Sequence, residues 1–334
     1  MVFSGGVGLG AYQAGAYAAL HRRTDLTPTW IAASSVGSVN AAIIAGRSAS
    51  ERLGALEEFW RGYDTTLLPQ TFPEGRTRHV QNWLSALATR LMGARGYFRP
   101  RLPNLLEPFA SLYDLTPMRL RLEKLVDFDR LNSGAVRVCV STTDIETGEL
   151  VVFDTARGDR IGMDHLLASC GFLPEFAPVE INGRLLGDGG LSANAPVETV
   201  LLEDPDGVAL IAFVVDLFAR DGKRPTDLET AVARKNDLLF GNQTFLRLEA
   251  CLRERKLRRK GAGKAEADAV YYLSYRAPPE EAGPEKPYDL SVGSVHDRWM
   301  AGELDMAEAL AELDAPSRAG PELKTIRRSD CRRR

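Results

Sequence analysis

No stretch of this chain approaches the roughly 18 consecutive apolar residues that a membrane-spanning helix needs. The most apolar run, VALIAFVVDLF at 208–218, is short, rich in β-branched residues and carries an acid near its end, so it reads as a buried strand. Positive charge is not in excess either. Lys and Arg number 42 against 45 Asp and Glu, a formal net charge of −3, which leaves no bulk electrostatic case for nucleic-acid binding. Cysteine is scarce: four residues, at 139, 170, 251 and 331, with no C-x-x-C pair. They read as free thiols in a reducing, cytoplasmic compartment. The four histidines are scattered without zinc-type spacing, so neither a metal nor a cofactor is expected. The opening MVFSGG lacks the basic flank and apolar core of a secretory signal. If a strand precedes these glycines, Met1 to Phe3 are only its end, and residues upstream of Met1 are expected.

What is present is an ordinary globular composition, 44% hydrophobic over 334 residues, long enough for one large domain or two smaller ones. After the first glycines, AYQAGAYAALHRR at 11–23 reads as a helix, TWIAAS at 29–34 as a strand and VGSVNAAIIAG at 36–46 as a helix rich in small residues. SERLGALEEFWRGYD at 50–64 is amphipathic and helical. From 64 to 113 the pattern loosens around Pro69, Pro73, Pro100, Pro103 and Pro108. That stretch, which carries Trp83, Leu91, Met92, Tyr97 and Phe98, reads as an insertion serving as a lid. A helix at 115–126 with Pro117 near its start, a strand at 136–144, a hairpin arm at 146–154 and a helix at 164–170 follow. A hairpin then turns at Asn182-Gly183 and leads into GDGG at 187–190. Strands alternating with helices imply an α/β fold, a mostly parallel sheet with helices on both faces. The expected division is a core at 1–220 and a mostly helical, charged C-terminal extension at 221–334.

Three motifs carry chemistry. SGGVGLG at 4–10 runs from a strand end into a helix start. Its glycines permit a tight turn that gathers N–H groups, and the helix N-terminus adds partial positive charge. The product is an anion site for a phosphate or a reaction oxyanion, unless it is a turn with no ligand. No Lys-Ser/Thr follows, which excludes a phosphate-binding P-loop; Gly6-x-Gly8-x-x-Ala11 does fit a loose dinucleotide fingerprint. The second motif, Ala33-Ser34-Ser35-Val36-Gly37, lies between an apolar strand and a small-residue helix. This is the setting of a nucleophile elbow, where a serine on a strained turn tolerates only small residues two before and two after it. Ala33 and Gly37 satisfy that around Ser35; around Ser34, Val36 does not. The alternative role for Ser35 is a helix N-cap. The third motif, Gly187-Asp188-Gly189-Gly190, places an acid at a strand end, either as a tight turn or as a reaching carboxylate.

Together, in this order and spacing, the motifs resemble the patatin-like phospholipase family. VNAA after the elbow, ASCGFLPEFAPVEINGRLLGDGG at 168–190, DFDRLNSG at 127–134 and DIETGELVVFD at 144–154 extend the likeness toward the bacterial branch. The resemblance implies a three-layer patatin-like sandwich and a lipid or ester substrate. It makes Ser35 the nucleophile, Asp188 its base, and Gly5, Gly6, Val7 and Gly8 the oxyanion loop, with Gly189 and Gly190 completing the acid motif. Two departures stand out. A glycine is usual where Val7 stands, and Val7 is not expected to adopt positive φ, which would shift the loop. A basic residue is usual where Leu9 stands, and its loss would remove a charge at the entrance. A triad would need His296, the only histidine after the acid; His21 and His165 fall in helices and His79 in the insertion.

Two other functions compete with hydrolysis: a nicotinamide-dependent oxidoreductase on the glycine loop, and a weakly active or inactive lipid-binding or scaffold protein in the same pocket. The oxidoreductase leaves Asp188-Gly189-Gly190 unexplained. RERKLRRKGAGK at 253–264 holds seven basic residues against one acid, and 317–334 adds seven against two. Both read either as solvated faces or as peripheral contacts with an anionic membrane.

Overall fold

The structure, a computed structural model, describes residues 1–61, 76–101, 111–203, 209–261, 268–278, 281, 283–315 and 323–326. Its strands are β1 (Val2–Phe3), β2 (Trp30–Ser34), β3 (Arg99–Pro100), β4 (Tyr113–Asp114), β5 (Arg137–Asp144), β6 (Leu150–Asp154), β7 (Val179–Ile181), β8 (Arg184–Asp188), β9 (Ile211–Asp216), β10 (Ala269–Ser274) and β11 (Lys324–Ile326). The helices are α1 (Ala11–His21), α2 (Val36–Ala45), α3 (Arg52–Arg61), α4 (Arg76–Met92), α5 (Thr116–Leu125), α6 (Phe128–Leu131), α7 (Met163–Ser169), α8 (Val197–Leu201), α9 (Leu228–Gly261) and α10 (Val292–Asp314).

Alternation along the strands explains the layering. Phe3, Ile31, Ala33, Val138, Val140 and Val215 enter one core, while their neighbours Val2, Ala32, Cys139, Ala212 and Val214 enter another. With a side-chain period of two, strands that are apolar at every position must be covered on both faces. Residues of α1, α2, α3 and α10 fill the first core, and residues of α8 and α9 fill the second. The result is the expected three-layer α/β sandwich. Its sheet runs β11-β10-β9-β1-β2-β5-β8-β7, with β6 also paired to β5. Pairings from β11 through to β5 are parallel; those of β6, β7 and β8 are antiparallel.

The C-terminal part is mostly helical, and it does more than extend the core. β10, an AVYYLS run that the charged pattern beyond 220 concealed, pairs with β9 in six registered positions and brings β11 with it. α10 lies against α1 so closely that a Cβ on Gly15 would stand 1.9 Å from the Trp299 carbonyl oxygen, and one on Gly302 1.9 Å from that of Tyr12. The Tyr12 hydroxyl donates to Asp305 at 2.6 Å across the same contact. The 64–113 stretch is more regular than expected. Its prolines flank α4 without entering it, and 17 residues form an uninterrupted helix. The parts of that stretch at 64–75 and 102–110 lie outside the described residues.

Candidate active site

The register of β5 brings two of the three motifs together. β2 pairs with β5 up to Ser34 opposite Ser141, and β8 pairs with β5 from Asp188 opposite Thr142. β6 overlaps both pairings along Cys139 to Thr143, so β2 and β8 must share the opposite edge of β5. β2 leaves that edge at the elbow, and β8 takes the vacated position with Asp188. Ser35 and Asp188 therefore meet although 153 positions separate them in the chain.

Ser35 sits at φ 55°, ψ −129°, a conformation that L residues rarely adopt. The surroundings hold it there. Its N–H donates to Ser169 Oγ at 2.9 Å, Ser169 Oγ donates to the Ser141 carbonyl at 2.8 Å, and Ser38 N–H donates to the Ser35 carbonyl at 2.8 Å. A Cβ on Gly37 would stand 2.8 Å from the Phe3 carbonyl oxygen, so the small residue after the elbow is required by backbone approach. Ala33 is fully buried at the end of β2, and its carbonyl accepts from Ser141 Oγ at 3.1 Å. Ser34 points elsewhere: a Cβ on Gly189 would meet its hydroxyl at 2.6 Å, and it does not line the cavity that Ser35 lines.

Asp188 is buried, and its carboxylate accepts the Gly190 N–H at 2.7 Å. Burial pushes its pKa up to about 7, while hydrogen bonds from the Ser35 hydroxyl and the Gly190 N–H pull against that rise. Gly189 leaves no room for a side chain against Ser34 and Ser141. Cys170 lies against the same pair, and burial pushes its thiol well above the ordinary range, so it remains protonated beside Ser35.

The glycine loop is held by its carbonyls. Gln13 donates to the Ser4 carbonyl at 2.7 Å, Asn40 to that of Gly10 at 3.0 Å, and Arg298 to that of Gly8 at 3.2 Å. Gly5 N–H is engaged by the Asn194 carbonyl at 3.0 Å and Leu9 N–H by that of Gly6 at 3.0 Å. Val7 and Gly8 open a 3-10 turn, and the first N–H groups of a helix have no intrahelical acceptor. Val7 does adopt positive φ, 49°, which corrects the expectation that it would not. The 3-10 turn beginning at Val7 and the surrounding clamps hold it there. Leu9 is fully buried in the core, so its position is not at an entrance. A cation does reach the loop, from α10. Arg298 is fully buried and donates to Glu281 from Nε at 3.1 Å and Nη2 at 2.7 Å, to the Lys286 carbonyl at 2.8 Å and to the Asp289 carbonyl at 2.6 Å, besides Gly8. These bonds use all five donors of the guanidinium.

Ser35, Asp188 and Gly5 to Gly8 line one cavity of about 450 Å³. Much of its wall is aromatic or aliphatic, including Phe59, Trp60, Tyr97, Phe98 and Met118, and α9 contributes Val232, Lys235 and Leu239. Arg90 of α4 lines it too, 3.2 Å from Glu285 and 3.5 Å from Glu175. Asn194, Ser169 and Arg298 are residues that the sequence patterns did not single out. Asn194 follows the acid motif and Ser169 lies inside the 168–190 run, neither with a role assigned from sequence, whereas Arg298 carries no local signal.

The other candidates lie apart. None of the four histidines lines the cavity: His296 is exposed on α10, His165 accepts the Gly162 N–H, His21 stacks on Tyr17, and His79 faces Glu229 at 3.5 Å. Among the described residues no cluster of three or more His, Cys, Asp or Glu is placed to hold a metal, and no helix is long and apolar enough to cross a membrane. In the 253–264 run, Arg255 is buried and bonds Asp268 at 2.6 Å, Arg259 is buried 3.7 Å from the same carboxylate, and Arg258 caps the Leu202 carbonyl. Arg253 and Lys256 are exposed. Most of the 317–334 tail, including Cys331, lies outside the described residues; Cys139, Cys170 and Cys251 are free and buried.

A family model described as patatin-like phospholipase matches residues 1–201. Among solved structures, VipD from Legionella pneumophila aligns at 14% identity and a TM-score of 0.43, covering 93% of this chain; the chain spans 66% of that structure's length. No curated protein matches the chain. With the family model extending over more than half of its length, the chain belongs to the patatin-like phospholipase family.

Proposed function

We propose that the protein is a serine acyl hydrolase that cleaves lipid carboxylic esters through Ser35 and Asp188. The observation that carries this reading is the meeting of a strained, cavity-lining serine with a buried carboxylate whose pKa is pushed up to about 7. A carboxylate at its ordinary pKa of about 4 is a feeble base for an alcohol, and one near 7 is matched to neutral pH. Asp188 takes the Ser35 proton as Oγ attacks the ester carbonyl carbon. The N–H groups of Val7 and Gly8, with Gly6 before them, receive the developing oxyanion. Gly5 shapes the loop but has its N–H engaged by Asn194. The tetrahedral intermediate collapses, Asp188 returns the proton to the departing alcohol, and the acyl group stays on Ser35. Water, deprotonated by Asp188, then attacks the acyl carbon; as the bond to Ser35 breaks, Asp188 returns the proton to Ser35 Oγ and the acid leaves. One oxyanion donor is typically worth about 3–4 kcal/mol.

In this reading residues 1–220 carry the reacting groups and 221–334 supply one wall of the site, while residues 76–101 add Arg90, Tyr97 and Phe98 to the lining of the cavity. Buried free thiols fit a cytoplasmic setting, with contact to an anionic membrane where the lipid is met.

The test combines a fluorophosphonate probe with a chromogenic ester. Ser35→Ala is expected to abolish both labelling and turnover, and Asp188→Asn to lower kcat by about 10²–10⁴. Because the base must be ionised, wild-type kcat/KM is expected to fall about tenfold per pH unit below about 7. Labelling that persists in Ser35→Ala overturns the nucleophile. Near-normal turnover by Asp188→Asn overturns the dyad. Wild-type protein that binds lipid with neither labelling nor turnover is the scaffold alternative.

A further inference from the structure

α4 is built inside out. Its buried positions are Asn82, Ser85, Ala86 and Thr89, while Val80, Trp83, Leu84, Leu91 and Met92 remain 55%, 40%, 42%, 67% and 60% exposed. Val80, Leu84, Leu87 and Leu91 recur at intervals of four, three and four, so they form one row along the helix with Trp83 beside it. A chain free in water gains by burying such a row, and a contiguous exposed apolar strip marks a surface that meets something else. The row also adjoins the cavity. Arg90, the residue before Leu91, lines it, as does Leu239 of α9, itself 59% exposed. α4 and α9 approach one another where His79 Nε2 lies 3.5 Å from Glu229.

The sequence of α4 and its C-terminal flank carries charge of one sign, part of which the fold neutralises: Arg78 pairs with Asp297, Arg90 with Glu175 and Glu285, and Arg99 with Asp114, while His79 faces Glu229. Residues 76–101 contain six arginines, one histidine and no acid, within a chain whose net charge is −3. Arg95 and Arg101, three and nine residues past the C-terminal end of α4, are exposed. An apolar stripe carrying Trp and Leu, flanked by arginines, is the composition of a helix that lies in the plane of a membrane interface. We infer that α4 is a docking helix that lays its apolar row on an anionic lipid bilayer beside the mouth of the cavity, delivering membrane-borne ester to Ser35. The delivery step rests on the acyl-hydrolase reading; the docking step does not. This assigns membrane contact to 76–101 in preference to 253–264, where Arg255 and Arg259 are buried against Asp268.

The experiment compares wild type with Trp83→Gln/Leu84→Gln/Leu91→Gln, and separately with Arg95→Gln/Arg101→Gln, on phosphatidylcholine vesicles with and without phosphatidylglycerol. None of the five positions lines the cavity. The triple variant is expected to bind anionic vesicles at least about tenfold more weakly and to hydrolyse vesicle-borne long-chain ester correspondingly more slowly. Turnover of a soluble short-chain ester is expected to stay within about twofold. The double arginine variant is expected to lose affinity for anionic vesicles alone, with the deficit shrinking at high salt. Vesicle binding by the triple variant equal to wild type overturns the inference. So does a wild-type dimer, seen by light scattering, that the triple variant dissolves, since a second copy would then cover the row. Protection of the Trp83 and Met92 side chains from oxidative footprinting in the free monomer also overturns it, because another part of the chain then covers the row. Loss of soluble-ester turnover in wild type, with vesicle binding still dependent on the row, defeats the hydrolase reading and leaves the docking surface standing.

Discussion

α10 and α4 are both amphipathic, and they bury opposite faces. α10 turns Val295, Trp299, Met306, Ala309 and Leu310 into the core and closes on α1 at backbone distance through Gly302. α4 turns Asn82, Ser85 and Thr89 inward and leaves Val80, Trp83, Leu84, Leu91 and Met92 exposed, with Leu87 half-buried between them. α10 is fixed against α1 and carries Arg298 to the glycine loop; α4 borders the cavity through Arg90 and keeps an apolar row exposed. The difference teaches that a 3.6-residue apolar period locates a stripe but does not say which medium covers it. What decides is complementarity on the other side: a glycine opposite a carbonyl for α10, and nothing comparable for the outer face of α4.

The largest effect that would sharpen this contrast is at Arg298. Arg298→Met removes all five donors at once, leaves Glu281 buried without its cation and frees the Gly8 carbonyl. Breaking a buried pair from one side costs about 3–5 kcal/mol, so thermal unfolding is expected to shift by several degrees or more. If the guanidinium also fixes the glycine loop, kcat on a soluble ester is expected to fall with KM little changed, because an interaction made mainly in the transition state is weakened. A variant with wild-type stability and kcat would show that α10 is no more committed than α4.

Gly302→Ala comes next. The added Cβ would stand 1.9 Å from the Tyr12 carbonyl oxygen and 2.8 Å from the Ala16 nitrogen, so α1 and α10 must separate. Overpacking of this kind costs about 1–3 kcal/mol and occasionally more, and the upper end is expected because backbone, not a flexible side chain, is in the way. Chemical denaturation with an unchanged m-value is the measurement. A neutral result would mean that the two helices slide freely past each other.

The residues of the site were legible where chemistry constrains its immediate neighbours. Small flanks marked Ser35 and glycines marked Asp188, but each pattern alone also fits a bland role, a helix N-cap or a tight turn, and it was their combination and the family resemblance that paired them. Their meeting was not legible, because it depends on β8 entering the edge of β5 that β2 vacates, and register is a tertiary fact. Arg298 was hidden for a related reason: an arginine in a charged, helical stretch reads as surface, and only the fold shows that five acceptors surround it. Val7 was misjudged because its side chain argued against positive φ, whereas the helix start and the clamps around the loop impose it. The layers of the sandwich were readable from strand alternation; β10 was not, since one short apolar strand between a long charged helix and α10 offers little to distinguish it from a buried turn.

The smallest expected effect is the most discriminating. Leu84 is a large apolar residue on a regular helix, and the usual rule assigns a cost of about 2–5 kcal/mol to truncating such a side chain in a core. On α4 it is 42% exposed, on the face away from Asn82, Ser85 and Thr89. Replacing it with glutamine, a comparably good helix former, removes little buried area and leaves helix propensity almost unchanged. The stability of Leu84→Gln in solution is therefore expected to lie within about 0.5 kcal/mol of wild type, measured by denaturant unfolding without lipid. The same substitution is expected to weaken binding to anionic vesicles, because there the leucine exchanges water for the interface. Stability and vesicle affinity thus respond in opposite proportions on the two helices: Gly302→Ala moves the first, Leu84→Gln the second. A loss of about 2 kcal/mol or more from Leu84→Gln in lipid-free solution would place Leu84 in a core after all, and α4 would then be an ordinary packed helix like α10.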